Sequence, residues 1–170
     1  ETLQAPIIVA FIISCLVAMA FGAFNGTLVA YFKIQPMVAT LILFTAGRSI
    51  AAWINNNELP IVSDVTFSYF GGFLPGIPIP TSFFIALACM IATALIFKFT
   101  SLGLYIQSVG INENSARLNG LNPAFIKFIT YVILGLFVAV AGFIKVSRLS
   151  TINYSVVAKD IEMDAILAVA

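Results

Sequence analysis

"APIIVAFIISCLVAMAFGAF", residues 5–24, is an uncharged apolar run of 20 residues. A helix of this length extends about 30 Å, which matches the hydrocarbon core of a bilayer. One face of the run carries Ser14, Ala18 and Gly22, and the same spacing continues to Gly26. Small residues at every fourth position let helix backbones approach closely in lipid, although such spacing also arises by chance. The run therefore predicts a membrane span whose small-residue face packs on another helix.

The composition of the whole chain agrees with a membrane protein. Of its 170 residues 61% are hydrophobic and only 9% are charged, whereas soluble domains carry about 25% charged residues. A net charge of +1 without a basic run excludes the electrostatic footprint of a nucleic-acid-binding protein. Two Cys and no His leave no ligand set for zinc or haem. We therefore expect no metal site and no nucleic-acid partner.

Further apolar runs predict three more spans, at residues 37–54, 81–97 and 125–144. Residues 65–80 are rich in Phe, Gly and Pro, which favours an interfacial or re-entrant segment. A fifth helix begins near Ala165, and its apolar run is too short to cross a bilayer. The expected fold is an all-α polytopic transmembrane bundle of about four complete spans plus a truncated fifth. We expect residues 1–170 to be a single transmembrane domain that is incomplete at both ends.

Alternation of the spans predicts the sidedness of the connectors. Residues 25–36 and 98–124 fall on one side, and residues 55–80 and 145–164 fall on the other. The first side carries Lys33, Lys98 and Arg117, with Lys127 at its edge, which makes four Lys or Arg residues, and the second side has three. Because positive charges are enriched in cytoplasmic loops, this small excess favours a cytoplasmic location for the first side.

A polar stretch, "VGINENSARLNGLNPAFIK" at residues 109–127, interrupts the apolar pattern. Asn112 can cap a helix that begins at Glu113, where an anion suits the positive end of the helix dipole. Glu113 and Arg117 are spaced for an ion pair on one helix face. Gly120 is a natural stop, and Pro123 delays the next helix. The pattern predicts a short helix at the membrane surface.

This short helix has a second face that suits contact. Ile111, Ser115 and Leu118 recur at helical spacing and are small or apolar. A helix with a charged face and a contact face is suited to recognition by a partner protein. The alternative is a self-capped interfacial helix that has no partner.

The stretch "GINENSARLNGL", residues 110–121, resembles the coupling-helix loop of permease subunits of carbohydrate-uptake ABC importers, the ribose, xylose and galactose type. Asn114, Ser115, Ala116 and Gly120 stand at the four places of that loop's E-A-A-x-x-x-G pattern, and the last two match it. The resemblance continues through "FGAFNGTLVAYFKIQPMVATLILFTAGRSIA" (residues 21–51), "YVILGLFVAVAGFI" (131–144) and "EMDAILAVA" (162–170). The strings "VGIN" (residues 109–112) and "QPMVATLILFTAGR" (residues 35–48) resemble most the galactofuranose-type branch of this family.

The resemblance implies a function and a set of partners. The protein would be the permease subunit of an importer that moves a monosaccharide across the bacterial inner membrane. Its partners would be a cytoplasmic ABC ATPase that holds ATP and Mg²⁺, a second permease subunit and a periplasmic sugar-binding protein. This chain would bind no cofactor and would not be an enzyme. The ATPase-coupling helix would comprise Asn112, Glu113, Asn114, Ser115, Ala116, Arg117 and Gly120, with Ser115, Ala116 and Gly120 allowing close approach.

Two polar residues in apolar surroundings are candidates for the substrate pathway. Arg48 lies six residues before the end of its predicted span, where it either extends to the near interface or lines the pathway and binds sugar hydroxyls. Asn25 could donate to a sugar, or it could cap a helix end at Gly26.

Two other classes of protein remain as alternatives. An ion-coupled secondary carrier should hold acidic residues within its spans, yet all seven acids lie in connectors or at the terminus. A membrane assembly subunit without a transport role would use the short helix only for docking.

Overall fold

The computed structural model describes residues 7–54, 56, 71–72, 80–149 and 167–168. Six helices account for most of this part of the chain, and it supports an all-α fold. They are α1 (Ile7–Ala30), α2 (Pro36–Ile54), α3 (Thr81–Phe99), α4 (Ser101–Ile111), α5 (Glu113–Leu118) and α6 (Pro123–Leu149). The predicted re-entrant segment lies largely outside the described residues, as does the predicted fifth helix apart from residues 167–168, which are helical.

Four of these helices, α1, α2, α3 and α6, are long and apolar enough to cross a membrane, as predicted. Their large apolar side chains are exposed rather than gathered into a core; Ile8 is 71% exposed and Leu16 is 62% exposed. An exterior of this kind is stable when lipid covers it. The predicted all-α polytopic bundle is confirmed for the described residues.

Helices α1 and α6 form the main packed pair, and they run antiparallel. The backbone of Gly22 lies against Tyr131, such that a Cβ on Gly22 would be 2.5 Å from the Tyr131 carbonyl oxygen. A Cβ on Gly135 would be 2.6 Å from the carbonyl oxygen of Ala18. Because lipid tails are as apolar as the side chains, such helices associate by close van der Waals contact. The predicted role of the small-residue face of α1 is therefore confirmed.

The spans are longer than the sequence predicted. Helix α1 continues through residues 25–30, which we assigned to a connector, and ends at Ala30. The hydroxyl of Thr27 donates to the carbonyl oxygen of Ala23 (2.8 Å), which lets a polar residue remain inside the helix. Gly26 continues the close contact with α6, since a Cβ there would meet the Tyr131 Cβ at 3.0 Å. Packing against α6 therefore extends α1 beyond its most apolar part.

Helix α4 lies within residues 98–124, for which the sequence predicts only a connector and the short helix α5. It begins after Thr100, whose backbone N–H donates to the carbonyl oxygen of Ile96 (3.1 Å) and closes α3. Gly103 then approaches the backbone of Phe97 too closely for any Cβ, which fixes the bend between α3 and α4. With 11 residues, α4 is too short to cross a bilayer. It leads the chain from α3 to α5.

Contacts at the two ends of the bundle show which connectors lie on the same side. Residues of the α1–α2 connector and of α5 line one common cleft, so both are at the end of the bundle that we call the α5 side. At the opposite end, the backbone of Gly71 packs against Arg148 near the end of α6. This pairing matches the predicted alternation.

Candidate functional site

Helix α5 has the start that the sequence predicted. Asn112 has an extended backbone (φ −154°, ψ 106°), and its side-chain oxygen accepts hydrogen bonds from the backbone N–H groups of Asn114 (3.0 Å) and Ser115 (3.1 Å). Two N–H groups that lack partners within the helix are thereby satisfied. Glu113 follows as the first helical residue, next to the positive end of the helix dipole.

The end of α5 also agrees with the prediction. The helix stops at Leu118, and Gly120 adopts φ +79°, a left-handed conformation that costs glycine little. The backbone N–H groups of Gly120 and Leu121 donate to the carbonyl oxygens of Arg117 (3.1 Å) and Ala116 (3.2 Å). These bonds close the last turn in the manner of a glycine-terminated helix. The chain is thereby redirected toward Pro123 and the start of α6.

Ala116 does not face outward, which corrects one expectation. It is only 3% exposed and forms a small core with Val109 of α4 and Ile126 of α6, surrounded by Tyr105, Ile106 and Leu121. A small side chain is needed here because α5 lies directly between the other two helices. Ala116 therefore joins α5 to the bundle and is not available for surface contact with a partner.

The ion pair of Glu113 is also different from the one predicted. Its carboxylate oxygen Oε2 lies 2.5 Å from Nζ of Lys127, on the second turn of α6, whereas the sequence indicated Arg117. The turn at Gly120 reverses the chain and brings Lys127 over the start of α5. The hydrogen bond from Lys127 holds the pKa of the Glu113 carboxyl below its usual value, with smaller contributions from the charges of Lys33 and Arg117.

These charged side chains line a cleft of about 800 Å³ between the α1–α2 connector and α5. Lys33 stands on the connector side with a left-handed backbone (φ 54°), and Arg117 and Lys127 stand on the other side. Glu113 is the only acidic residue among the lining residues. The sequence shows these charges individually, but only the fold brings residue 33 next to residues 113–127.

Two large apolar side chains, those of Ile111 and Leu118, are exposed near the two ends of α5. Ile111 is 87% exposed and Leu118 is 89% exposed, and Ser115 between them is exposed as well. All three predicted contact residues are therefore exposed, but Ile111 is the last residue of α4 and does not belong to α5. Helix α5 thus has Ala116 buried, Glu113, Asn114 and Arg117 lining the cleft, and the apolar side chain of Leu118 exposed.

Asn25 lies inside α1 and does not cap its end, because the helix continues to Ala30. The residue is 6% exposed, and its side-chain oxygen Oδ1 has no hydrogen-bond partner. It does not line the cleft on the α5 side. Burial beside the close contact at Gly26 accounts for its lack of access to that cleft.

Arg48 turns toward the middle of its span. The guanidinium carbon lies 4.4 Å from the centre of the Phe44 ring, one turn earlier in α2, a cation–π contact. The side chain thus points toward the preceding turn of α2, and both interpretations of Arg48, at the interface and in the pathway, stay predictions. Twelve residues separate it from Pro36, or about 18 Å of helix. Asn25 is about 8 Å from the end of α1, so the two residues lie at different depths.

The described residues contain no cluster of three or more His, Cys, Asp or Glu side chains that could hold a metal ion. Cys15 and Cys89 are free thiols on separate spans, α1 and α3. The α5 side of the molecule carries two exposed large apolar side chains, Ile111 and Leu118, and a charged cleft.

Four helices of spanning length, with a short capped helix at one end, define a polytopic membrane protein. The family model described as "Branched-chain amino acid transport system / permease component" matches residues 2–170. The chain belongs to this family of transport permeases.

Three similar proteins are permeases for sugars. The chain is 35% identical over 163 residues to the fructose import permease protein FruF of Bifidobacterium longum, covering 93% of this chain and 45% of the relative. It is 40% identical over 149 residues to the galactofuranose transporter permease protein YtfT of Escherichia coli K12, covering 87% and 43%. The ribose import permease protein RbsC of the same strain is 35% identical over 154 residues, covering 88% and 47%. No solved structure gives a significant match.

The resemblance to sugar-importer permeases is therefore confirmed, including the galactofuranose and ribose types. The chain spans less than half the length of these three relatives.

Proposed function

We propose that the chain is part of the permease of an ABC importer that carries a monosaccharide across the bacterial inner membrane. The observation that carries this proposal is the set of relatives, whose names describe permeases for fructose, galactofuranose and ribose. In this proposal the α5 side is cytoplasmic, and a separate ATPase subunit binds ATP and Mg²⁺. The chain itself is not an enzyme. Its further partners are a second permease subunit and a periplasmic sugar-binding protein.

Helix α5 is the proposed docking element for the ATPase. Leu118 of α5 and Ile111, the last residue of α4, are almost fully exposed, and they offer a partner groove two apolar anchors of the kind used by helices that bind in grooves. The charged neighbours Glu113 and Arg117 are placed to orient the partner by charge complementarity. Asn112 and Gly120 fix the length of the element, and Asn114 and Ser115 occupy its first turn.

The way α5 is held suits the transmission of force. Ala116 is wedged between α4 and α6, and the Glu113–Lys127 ion pair joins the start of α5 to α6. Helix α6 is in turn packed backbone to backbone on α1 at Gly135. Because closely packed interiors deform little, a displacement of α5 by the ATPase would move α6 and α1 with it. This chain's contribution is thus a stiff connection between the docking surface and the spans.

Arg48 remains the candidate for contact with the sugar during passage. A guanidinium next to an aromatic ring offers donors for hydroxyl groups and a flat apolar surface for the C–H face of a sugar ring. Asn25 is the second candidate, because its orphaned oxygen is an acceptor that a hydroxyl group could satisfy.

The docking proposal is tested with the variant Leu118→Glu in the intact transporter, reconstituted in proteoliposomes with its ATPase and binding protein. Loss of one apolar anchor weakens an interface by about tenfold or more, and we expect sugar uptake to fall accordingly. Phe99→Glu is the matched control, because Phe99 is 74% exposed near the end of α3 and is not part of the docking surface. Uptake and ATPase stimulation at the wild-type level in Leu118→Glu would refute the role of α5.

The same preparation separates the other classes of protein. A secondary carrier or an assembly subunit would be purified without any ATP-binding subunit, and uptake through a carrier would not depend on ATP. An ion-coupled carrier should hold acidic residues within its spans. The sequences of α1, α2, α3 and α6 contain no Asp or Glu, which argues against this class.

A further inference from the structure

The cleft on the α5 side lies at the level where three spans end. Its lining includes Ala30 at the end of α1, Pro36 at the start of α2 and Pro123 at the start of α6. Ends of spanning helices lie in the headgroup region of a bilayer. A cleft of about 800 Å³ at this depth is large enough for a small polar ligand.

The charge of the cleft is unbalanced. Three cationic side chains, Lys33, Arg117 and Lys127, line it together with one carboxylate, that of Glu113. In the described part of the chain the only ion pair is the one between Lys127 and Glu113. Lys33 and Arg117 therefore have no carboxylate partner there. The cleft carries an uncompensated charge of about +2, which favours an anion.

Donors of other kinds complete the polar lining. The side-chain oxygen of Asn122 accepts from the backbone N–H of Phe125 (3.3 Å), so its amide nitrogen can donate to a ligand. Gln35 lines the opposite wall. A guanidinium, an ammonium and amide N–H groups together form a donor set suited to phosphate oxygens.

The surface that continues from the cleft along the spans is apolar. On the first turns of α2 the side chains of Met37 (57% exposed) and Leu41 (55% exposed) are uncovered, and on α6 Phe125 is 51% exposed. Tyr31 and Phe32, next to Lys33, are exposed aromatic residues of the type that anchors proteins at a membrane interface. A polar cleft above an apolar surface fits a ligand that has an anionic head and acyl chains.

We propose that the cleft between the α1–α2 connector and α5 binds the headgroup phosphate of an anionic phospholipid. Lys33 and Arg117 bind the phosphate from opposite walls, and the acyl chains lie along the exposed start of α2. Basic pockets between membrane helices are known to suit anionic headgroups. The proposal depends on the membrane location of the chain and not on the transported substrate. It makes the position of α5 relative to α1 and α2 dependent on lipid composition.

The test measures lipid retained by the intact transporter after extraction from vesicles of phosphatidylcholine mixed with phosphatidylglycerol. Native mass spectrometry counts each lipid on the wild-type protein and on the double variant Lys33→Gln, Arg117→Gln. Each surface cation contributes about fivefold to the binding of an anionic lipid, so we expect phosphatidylglycerol retention to fall by more than tenfold. Phosphatidylcholine retention should not change.

Two control variants separate the site from general charge and from folding. Lys98→Gln removes a cation near the end of α3 that does not line the cleft, and it should retain phosphatidylglycerol like the wild type. Lys33→Arg with Arg117→Lys keeps both charges and should retain it as well. If the double Gln variant retains phosphatidylglycerol normally, the proposal is wrong.

Two further results would also overturn it. Displacement of phosphatidylglycerol by millimolar glycerol phosphate would identify a site for free anions and not for a lipid. Loss of the copurifying ATPase in the double Gln variant, with unchanged lipid retention, would assign the cleft to an acidic surface of a partner protein.

Discussion

The close backbone contact at Gly22 gives a sharp test of how α1 and α6 associate. In Gly22→Ala the new Cβ would lie 2.5 Å from the carbonyl oxygen of Tyr131, whereas ordinary contacts begin at 3.4 Å. The clashing atom belongs to a helical backbone and cannot rotate away. The helices must therefore separate by about 0.9 Å (3.4 − 2.5) at this point. A gap of this size forfeits a quarter to a half of the local dispersion energy.

The expected cost follows from overpacking, which destabilises by about 1–3 kcal/mol. Alanine also has a higher helix propensity than glycine by about 1 kcal/mol, and this gain partly hides the clash. The control Gly47→Ala separates the two effects, because a Cβ at Gly47 in α2 meets nothing within 4 Å. Gly142→Ala provides the same control within α6. The difference between Gly22→Ala and these controls should be about 1–3 kcal/mol.

The assay is reversible unfolding of the intact permease in lipid bicelles, followed by tryptophan fluorescence or by steric trapping. Gly22→Ala should unfold at lower denaturant concentration than the wild type, and the two controls should match or exceed it. Equal stability of Gly22→Ala and Gly47→Ala would refute the claim that backbone contact between α1 and α6 holds the bundle together.

The remaining predictions concern the start of α5. Asn112→Ala removes the acceptor of two backbone N–H groups and should destabilise α5 by about 1 kcal/mol; hydrogen exchange of the α5 amides should accelerate about fivefold, while Asn112→Ser should restore most of the protection. The lowered pKa of Glu113 predicts a stability contribution that is complete above about pH 4.3 and is lost as the pH falls through the lowered value. Because the side chains of Lys127 and Glu113 are partly exposed (37% and 53%), the loss of stability should be below about 1 kcal/mol. Thermal unfolding of the wild type and of Glu113→Gln between about pH 6 and pH 3 measures this loss. An identical pH dependence of the two proteins would contradict the ion pair.

Much of the fold could be predicted because lipid imposes simple rules. An uncharged run of 20 residues has few alternatives to a spanning helix, and the small residues of α1 indicated its packing face. The start and stop of α5 were also predictable, since a cap at Asn112 and a left-handed turn at Gly120 depend on local chemistry.

The remaining features depend on contacts between distant parts of the chain. Spacing along one helix suggested Arg117 as the partner of Glu113, yet the partner is Lys127, fourteen residues away across a turn. The inward position of Ala116 follows from its packing on Val109 of α4, a helix that the sequence does not predict because Thr100 and Gly103 interrupt its apolar pattern. The left-handed Lys33 and the cleft beside it require the tertiary fold.

The contact between Gly22 and Gly135 also has a consequence for temperature dependence. It removes no apolar surface from water, since lipid surrounds both helices before and after they meet, and it immobilises no side-chain rotamers. Association of this kind should show a heat-capacity change near zero, unlike the folding of a soluble core. The pairing of α1 and α6 should therefore keep nearly constant strength on cooling, with no tendency to cold denaturation.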